Sequence, residues 1–179
     1  MKKLLIAFVL LFSFVGQSQI IDVVKWKTKV VQKSNTDFEL IMDAKIEFGW
    51  HLYSQNTPDG GSQPLTFTFK NSGKDYQLVG KTKEGAYKKE YSDIFEVDEY
   101  YFVGSAQFKQ IIKVTNPNVK EIKVYLEGQT CIDGKCIQEE DNLTFKLPEI
   151  KVEEKIEDKK EEIVPVVKEE KKMMKELVK

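Results

Sequence analysis

The chain contains no arginine: all 28 of its basic residues are lysines, set against 29 acidic residues. A net charge of −1 over 179 residues offers no basic excess to a nucleic-acid backbone. Without guanidinium groups, bidentate contacts to guanine or phosphate are also missing. No nucleic-acid partner is expected. Histidine and cysteine are equally scarce, with one His51 and the two cysteines Cys131 and Cys136. Three such ligands cannot build a four-ligand zinc site, and in an exported chain two cysteines more often pair with each other. His51 has no G-x-S-x-G serine to serve, which argues against a hydrolase triad. No phosphate-cradling glycine motif is present. No metal and no cofactor are therefore expected.

Long apolar runs are also few. The single one, residues 4–15, follows Met1-Lys2-Lys3 and is broken only by Ser13. At about a dozen residues it is too short for the roughly 20 that span a bilayer. Gly16-Gln17-Ser18 supplies small residues two apart. A basic start, a short apolar stretch and a small-residue site make a secretory signal peptide over residues 1–18. Cleavage there leaves 26 lysines against 29 acidic residues and no membrane-spanning segment. Export to a periplasm or beyond takes the cysteine pair out of the reducing cytosol, where a disulfide persists.

Residues 19–148 form the body. Phe38, Leu40, Met42, Ala44, Ile46 and Phe48 alternate with polar residues, a period-two pattern that predicts a half-buried strand over 38–48. Further strands are predicted over 23–31, 52–54, 65–69, 76–79, 95–103, 106–114, 122–126 and 143–147, separated by Gly, Pro and Asn clusters. Short strands with frequent turns and no helical period indicate an all-β, immunoglobulin-like β-sandwich. Phe38, Phe48, Phe67, Phe69, Phe102 and Phe108 read as core, and Trp26 and Trp50 as packing. Residues 149–179 differ: ten acidic residues and nine lysines, no aromatic, no glycine. They read as a charged tail, partly helical through Glu/Lys pairs or disordered. Its alternative role is to tether the body or dock a partner.

The chemistry sits in Cys131-Ile132-Asp133-Gly134-Lys135-Cys136. Asp-Gly is a tight-turn signal between strand-like flanks, so the cysteines should face each other across a hairpin. Opposite residues in an antiparallel pair lie about 4.5–5.5 Å apart at Cα, a spacing a disulfide tolerates. Closing so short a loop stabilises by only roughly 2 kcal/mol in the chain-entropy picture, against about 3 for fifteen residues. A bond at a hairpin tip is accessible to exchange, and Lys135 favours a thiolate at Cys136. Chemistry alone leaves a redox-active and a structural pair both open. The C-x4-C spacing excludes a thioredoxin-type C-x-x-C. His51, in an aromatic strand, reads first as a hydrogen-bonded core or edge residue and second as a proton acceptor near Cys136.

Gly49-Trp50-His51-Leu52-Tyr53-Ser54, the later Gly60-Gly61 and Pro64-Leu65, and Gly128-Gln129-Thr130-Cys131 with Cys136 together resemble the N-terminal periplasmic domain of the thiol–disulfide interchange protein DsbD. The resemblance covers roughly residues 20–148. It implies a sandwich carrying a redox pair, Cys131 and Cys136, on one hairpin. Such a domain passes reducing equivalents to partner oxidoreductases by disulfide exchange, with Cys136 forming the mixed disulfide and Cys131 resolving it. It implies a thioredoxin-like periplasmic oxidoreductase or a membrane electron donor as partner, here on a separate chain. It also implies an aromatic lid over the cysteines, with Tyr91 or Phe95 as the candidates, and site-lining His51 and Tyr53. The chain departs from the family at Gln138-Glu139-Glu140, where prolines are common. The alternative is a non-enzymatic exported binding or scaffold module whose hairpin disulfide is structural.

Overall fold

A computed structural model describes residues 21–149. The expected signal peptide, and the charged tail beyond its first residue, lie outside the described residues. Within them are ten strands and no helix: β1 (Val24–Gln32), β2 (Asp37–Ile46), β3 (His51–Tyr53), β4 (Thr66–Phe69), β5 (Tyr76–Glu84), β6 (Lys88–Ser92), β7 (Val97–Phe102), β8 (Ser105–Val114), β9 (Glu121–Ile132) and β10 (Lys135–Lys146). One sheet runs β1-β2-β8-β5 and the other β10-β9-β3-β7-β6, with β4 also paired to β9. All the pairings between these strands are antiparallel. The fold is an immunoglobulin-like sandwich.

Alternation along the strands makes the core. Phe38, Leu40, Met42, Ala44 and Ile46 of β2 and Ala106, Phe108, Ile112 and Val114 of β8 face Ile122, Val124 and Leu126 of β9 and Leu143 and Phe145 of β10, all buried. Trp50 is buried in the same core and Trp26 packs at its margin. Gln110 falls on this apolar face and is almost fully buried. Its amide donates to the carbonyl of Ile111 at 2.8 Å and, more weakly, to Val79 at 3.3 Å, while Thr82 Oγ1 donates to it at 2.9 Å. Those partners flank the irregularity between Val79 and Lys83 where β5 shifts register against β8. The glutamine thus satisfies polar groups that a bulged strand leaves unpaired.

Several strand boundaries differ from the pattern-based expectation: β9 and β10 run on to the cysteine turn, beyond the 122–126 and 143–147 expected, and β5 extends to Glu84. β2 stops at Ile46, and Phe48 is 99% exposed instead of buried. A turn closed by Trp50 N–H donating to Glu47 O at 3.1 Å interrupts the alternation before position 48. Residues 88–92, too polar to signal a strand, form β6 because β7 offers its edge for pairing. The strand expected from 95 begins at Val97, since residues 93–96 form the turn between β6 and β7.

The two sheets are also linked at one edge. Trp26 Nε1 on β1 donates to Glu139 Oε1 on β10 at 2.8 Å. Burial, above all, pushes the Glu139 carboxyl up to about 7; the indole donor opposes this, while Asp22 and Asp141 nearby add to it. The folded chain therefore holds this proton more tightly than the unfolded chain does. The resulting stabilisation is complete below the unfolded value of 4.5 and is lost as pH rises towards about 7. Glu139→Gln keeps an acceptor for Trp26 and removes the titration. Urea denaturation should show the variant equal to the parent near pH 4 and more stable at pH 8, by on the order of 2 kcal/mol. Parallel stability–pH curves for the two proteins would refute this account.

Candidate functional site

The β9–β10 hairpin has the geometry its sequence suggested. Cys136 pairs directly with Cys131, and Lys135 with Ile132. Asp133 and Gly134 form a two-residue loop, with φ of 31° and 76°. Two positive φ angles in succession match the twist of the flanking strands. The cysteines form a disulfide with Cα atoms 4.1 Å apart.

The two cysteines are not equivalent. Residues 122, 124, 126 and 130 of β9 face the core, so Cys131 lies on the outer face of its sheet. It is nevertheless buried, in a small cluster with Tyr53 and Tyr101. Cys136 is exposed. Tyr53 of β3 and Tyr101 of β7 pack against Cys131. With the β6–β7 turn and the cysteine hairpin, these strands border an open cavity of about 390 Å³ lined by His51, Tyr53, Tyr91, Ile94 and Phe95 together with both cysteines. The structure thus brings every sequence-predicted site residue to one place. Tyr91 lies at the end of β6 and Phe95 in the following turn, and both remain partly exposed. His51 is the β-partner of Cys131.

Three residues that pattern did not single out complete the cavity. The Tyr101 ring stacks on His51 at 4.1 Å, nearly parallel, and its hydroxyl donates to the Glu90 carboxylate. Burial, then the Glu90 carboxylate, pushes the Tyr101 phenol up to about 12. Glu99 of β7 is buried. It accepts the Ser62 N–H at 2.9 Å, with the Tyr53 hydroxyl 3.5 Å from its other oxygen. Burial raises the Tyr53 phenol as well. Gly61 lets the 57–62 loop come this close: a Cβ there would lie 3.0 Å from Val97 Cγ2 and 3.1 Å from Glu99 Oε1. Glu99 and Tyr101 share one face of a strand, which is the signal that could have found them. A buried glutamate there looks solvent-facing until the covering loop is known.

Burial lowers the His51 imidazole below its usual value, with Lys88 acting the same way and Glu90, Asp133 and Glu99 opposing. Near neutral pH His51 is the uncharged base and presents a flat ring to Tyr101. Among the described residues, no group of three or more His, Cys, Asp or Glu side chains is arranged to hold a metal ion.

Two outcomes follow from this geometry. The His51 ring protons, followed by NMR from pH 5 to 8, should titrate with a midpoint below 6.5. A midpoint at or above that value would show that burial does not dominate. Gly61→Ala should cost about 1–3 kcal/mol in denaturant unfolding, because the added methyl overpacks the loop against Val97 and Glu99. Gly85→Ala, where an added Cβ meets only Gln107 O at 3.9 Å, should cost far less.

No curated protein matches the sequence. Among solved structures, the N-terminal periplasmic domain of ScsB from Proteus mirabilis is similar, with a TM-score of 0.54 and 15% identity over 73% of this chain. The match spans 49% of that chain, about half its length. The DsbD N-terminal domain of Neisseria meningitidis in its reduced form matches at a TM-score of 0.39 and 12% identity, over 68% of this chain and 86% of that one. A complex between the DsbD N-terminal and PilB N-terminal domains of Neisseria meningitidis gives 0.41 and 11%, over 68% and 80%. The likeness to the ScsB domain is one of fold. The sequence profile described as thiol:disulfide interchange protein DsbD, N-terminal, matches residues 18–148, and the chain belongs to that family.

Proposed function

We propose that the protein is a periplasmic thiol–disulfide exchange module that passes reducing equivalents to a partner oxidoreductase through Cys131 and Cys136. The observation that carries the reading is the asymmetry of the pair: one cysteine exposed at a hairpin tip, the other buried against Tyr53 and Tyr101. Exchange needs an attackable sulfur and a protected one that returns to resolve the intermediate. Membership of the DsbD N-terminal family supports the same chemistry.

In the reducing direction both cysteines begin as thiols. The Cys136 thiolate, favoured by adjacent Lys135, attacks one sulfur of the partner's disulfide. A mixed disulfide forms, and the partner's other sulfur leaves as a thiolate that takes up a proton. The Cys131 thiolate then attacks Cys136 Sγ. The Cys131–Cys136 bond forms and the partner departs with its second thiol. Two electrons have moved to the partner, and this chain is left oxidised. A thioredoxin-like protein or membrane electron donor on another chain restores the dithiol by the reverse steps at the exposed Cys136. The signal peptide over 1–18 would deliver the domain to the periplasm, and residues 149–179 would act as a solvated spacer. Tyr91 or Phe95 acts as the lid, while His51 and Tyr53 line the site beneath it.

The test uses single-cysteine variants. Cys131→Ser should accumulate a mixed disulfide with a thioredoxin-like oxidoreductase, visible on a non-reducing gel. Cys136→Ser should abolish exchange. Wild-type exchange by Cys136→Ser would overturn the mechanism. A reduction potential below about −300 mV would mark the bond as a structural staple in a binding or scaffold module, and a higher one suits exchange.

A further inference from the structure

We propose that Asp93 and Asp133 make the Cys131–Cys136 bond selective for molecules that carry positive charge beside their reacting sulfur. This deepens the exchange reading and rests on it. The cavity that holds both cysteines is lined by four carboxylates, Glu90, Asp93, Glu99 and Asp133, and by no lysine. The chain as a whole is near charge balance, with 28 lysines against 29 acidic residues, so the imbalance is local. Lys135 is next to Cys136 in sequence, but alternation sets it on the other face of β10. It offsets part of the charge without entering the cavity.

Acidic side chains on a surface are ordinary, and among the described residues no such group is arranged to hold a metal ion. What makes these consequential is the bond they surround, because any reaction partner must bring a sulfur to exposed Cys136. Two of the four carboxylates serve the fold. Glu90 accepts the Tyr101 hydroxyl, and Glu99 accepts the Ser62 N–H. Asp93 and Asp133 do not. Both are exposed, and among the described residues their carboxylates enter no hydrogen bond and no ion pair. Asp133 opens the two-residue turn at a φ of 31°, where asparagine would serve the turn as well. Asp93 lies in the β6–β7 turn. Two turns from different parts of the chain thus bring to one cavity a carboxylate that the fold does not need.

The field reaches the groups around the bond. Burial dominates at His51, the register partner of Cys131, but Glu90, Asp133 and Glu99 each oppose it. A space of 390 Å³ is about 9 Å across, close to the screening length of about 8 Å at 0.15 M salt. Charge on its walls therefore acts on whatever enters. The attacking species in exchange is a thiolate, itself negative. The carboxylates repel it, and positive charge on the same molecule offsets that repulsion. The partner this fits is a thiol oxidoreductase with lysine or arginine beside its reactive cysteine. The same field holds off anionic small thiols.

The test reduces the full chain with cysteamine, mercaptoethanol and mercaptopropionate, whose thiolates carry no net charge, one and two negative charges. In each case a thiolate attacks Cys136 Sγ, the Cys131–Cys136 bond breaks, and Cys131 leaves as a thiolate that takes up a proton. A second thiol then displaces the first. Two thiols have become one disulfide, and the protein has gained two electrons and two protons. Each rate is divided by the thiolate concentration and by that reagent's rate on hydroxyethyl disulfide, which cancels intrinsic nucleophilicity. Cysteamine should then react about ten-fold faster than mercaptopropionate at low salt, a gap that closes in molar potassium chloride. Asp93→Asn combined with Asp133→Asn should raise the mercaptopropionate rate several-fold, raise the cysteamine rate least, and leave the melting temperature unchanged. A reduced thioredoxin with two lysines added beside its active-site cysteines should outpace the same thioredoxin with two glutamates added there. Equal normalised rates for the three thiols would overturn the proposal. So would discrimination that survives undiminished in the double variant, or a lysine-bearing thioredoxin no faster than its glutamate counterpart. Parent protein that none of these thiols or thioredoxins reduces without denaturant would instead sink the exchange reading itself.

Discussion

Everything at the cysteine end depends on the register between β9 and β10. Each strand is 12 residues long and they pair without interruption from Glu121–Lys146 to Ile132–Lys135. Burial of Ile122, Val124 and Leu126 from one strand and Leu143 and Phe145 from the other fixes which face looks inward. Because side chains alternate, a one-residue slip would turn those five apolar groups to solvent. It would also end the direct opposition of Cys131 and Cys136. The core thus sets the geometry of the disulfide through the pleat, from a distance of several residues.

The same pleat gives the sheet two chemically different faces. The inner face is apolar and close-packed. The outer face carries Cys131, His51, Tyr53, Tyr101 and Glu99, and the β6–β7 hairpin folds over it. Cover and exposure meet at the hairpin tip, where one cysteine of the bonded pair is buried and the other is exposed. Burial also raises the phenols of Tyr53 and Tyr101 and lowers the imidazole of His51, so the groups around the sulfur stay neutral near pH 7.

The strands with clean alternation, β2 and β8 above all, were legible because one buried face writes a period of two into the sequence. The Asp133-Gly134 turn was legible because a two-residue hairpin needs positive φ. Other parts left no local trace. Lys88 to Ser92 became a strand only because β7 presented an edge, and Phe48 left the core because the turn at Gly49 ended the alternation one step early. Glu99 resembled a solvent-facing residue, since the loop that buries it comes from a segment about 40 positions away.

By itself the sequence determined an all-β body, a charged segment after residue 148 and a hairpin that joins its only two cysteines. These follow from periodicity, turn chemistry and composition, which are local or additive along the chain. Tertiary structure alone decided that Cys131 is covered while Cys136 is open, that His51 stacks on Tyr101, and that Phe48 stands in solvent. Those outcomes depend on which remote strand or loop packs against a given face, and no residue encodes its own cover.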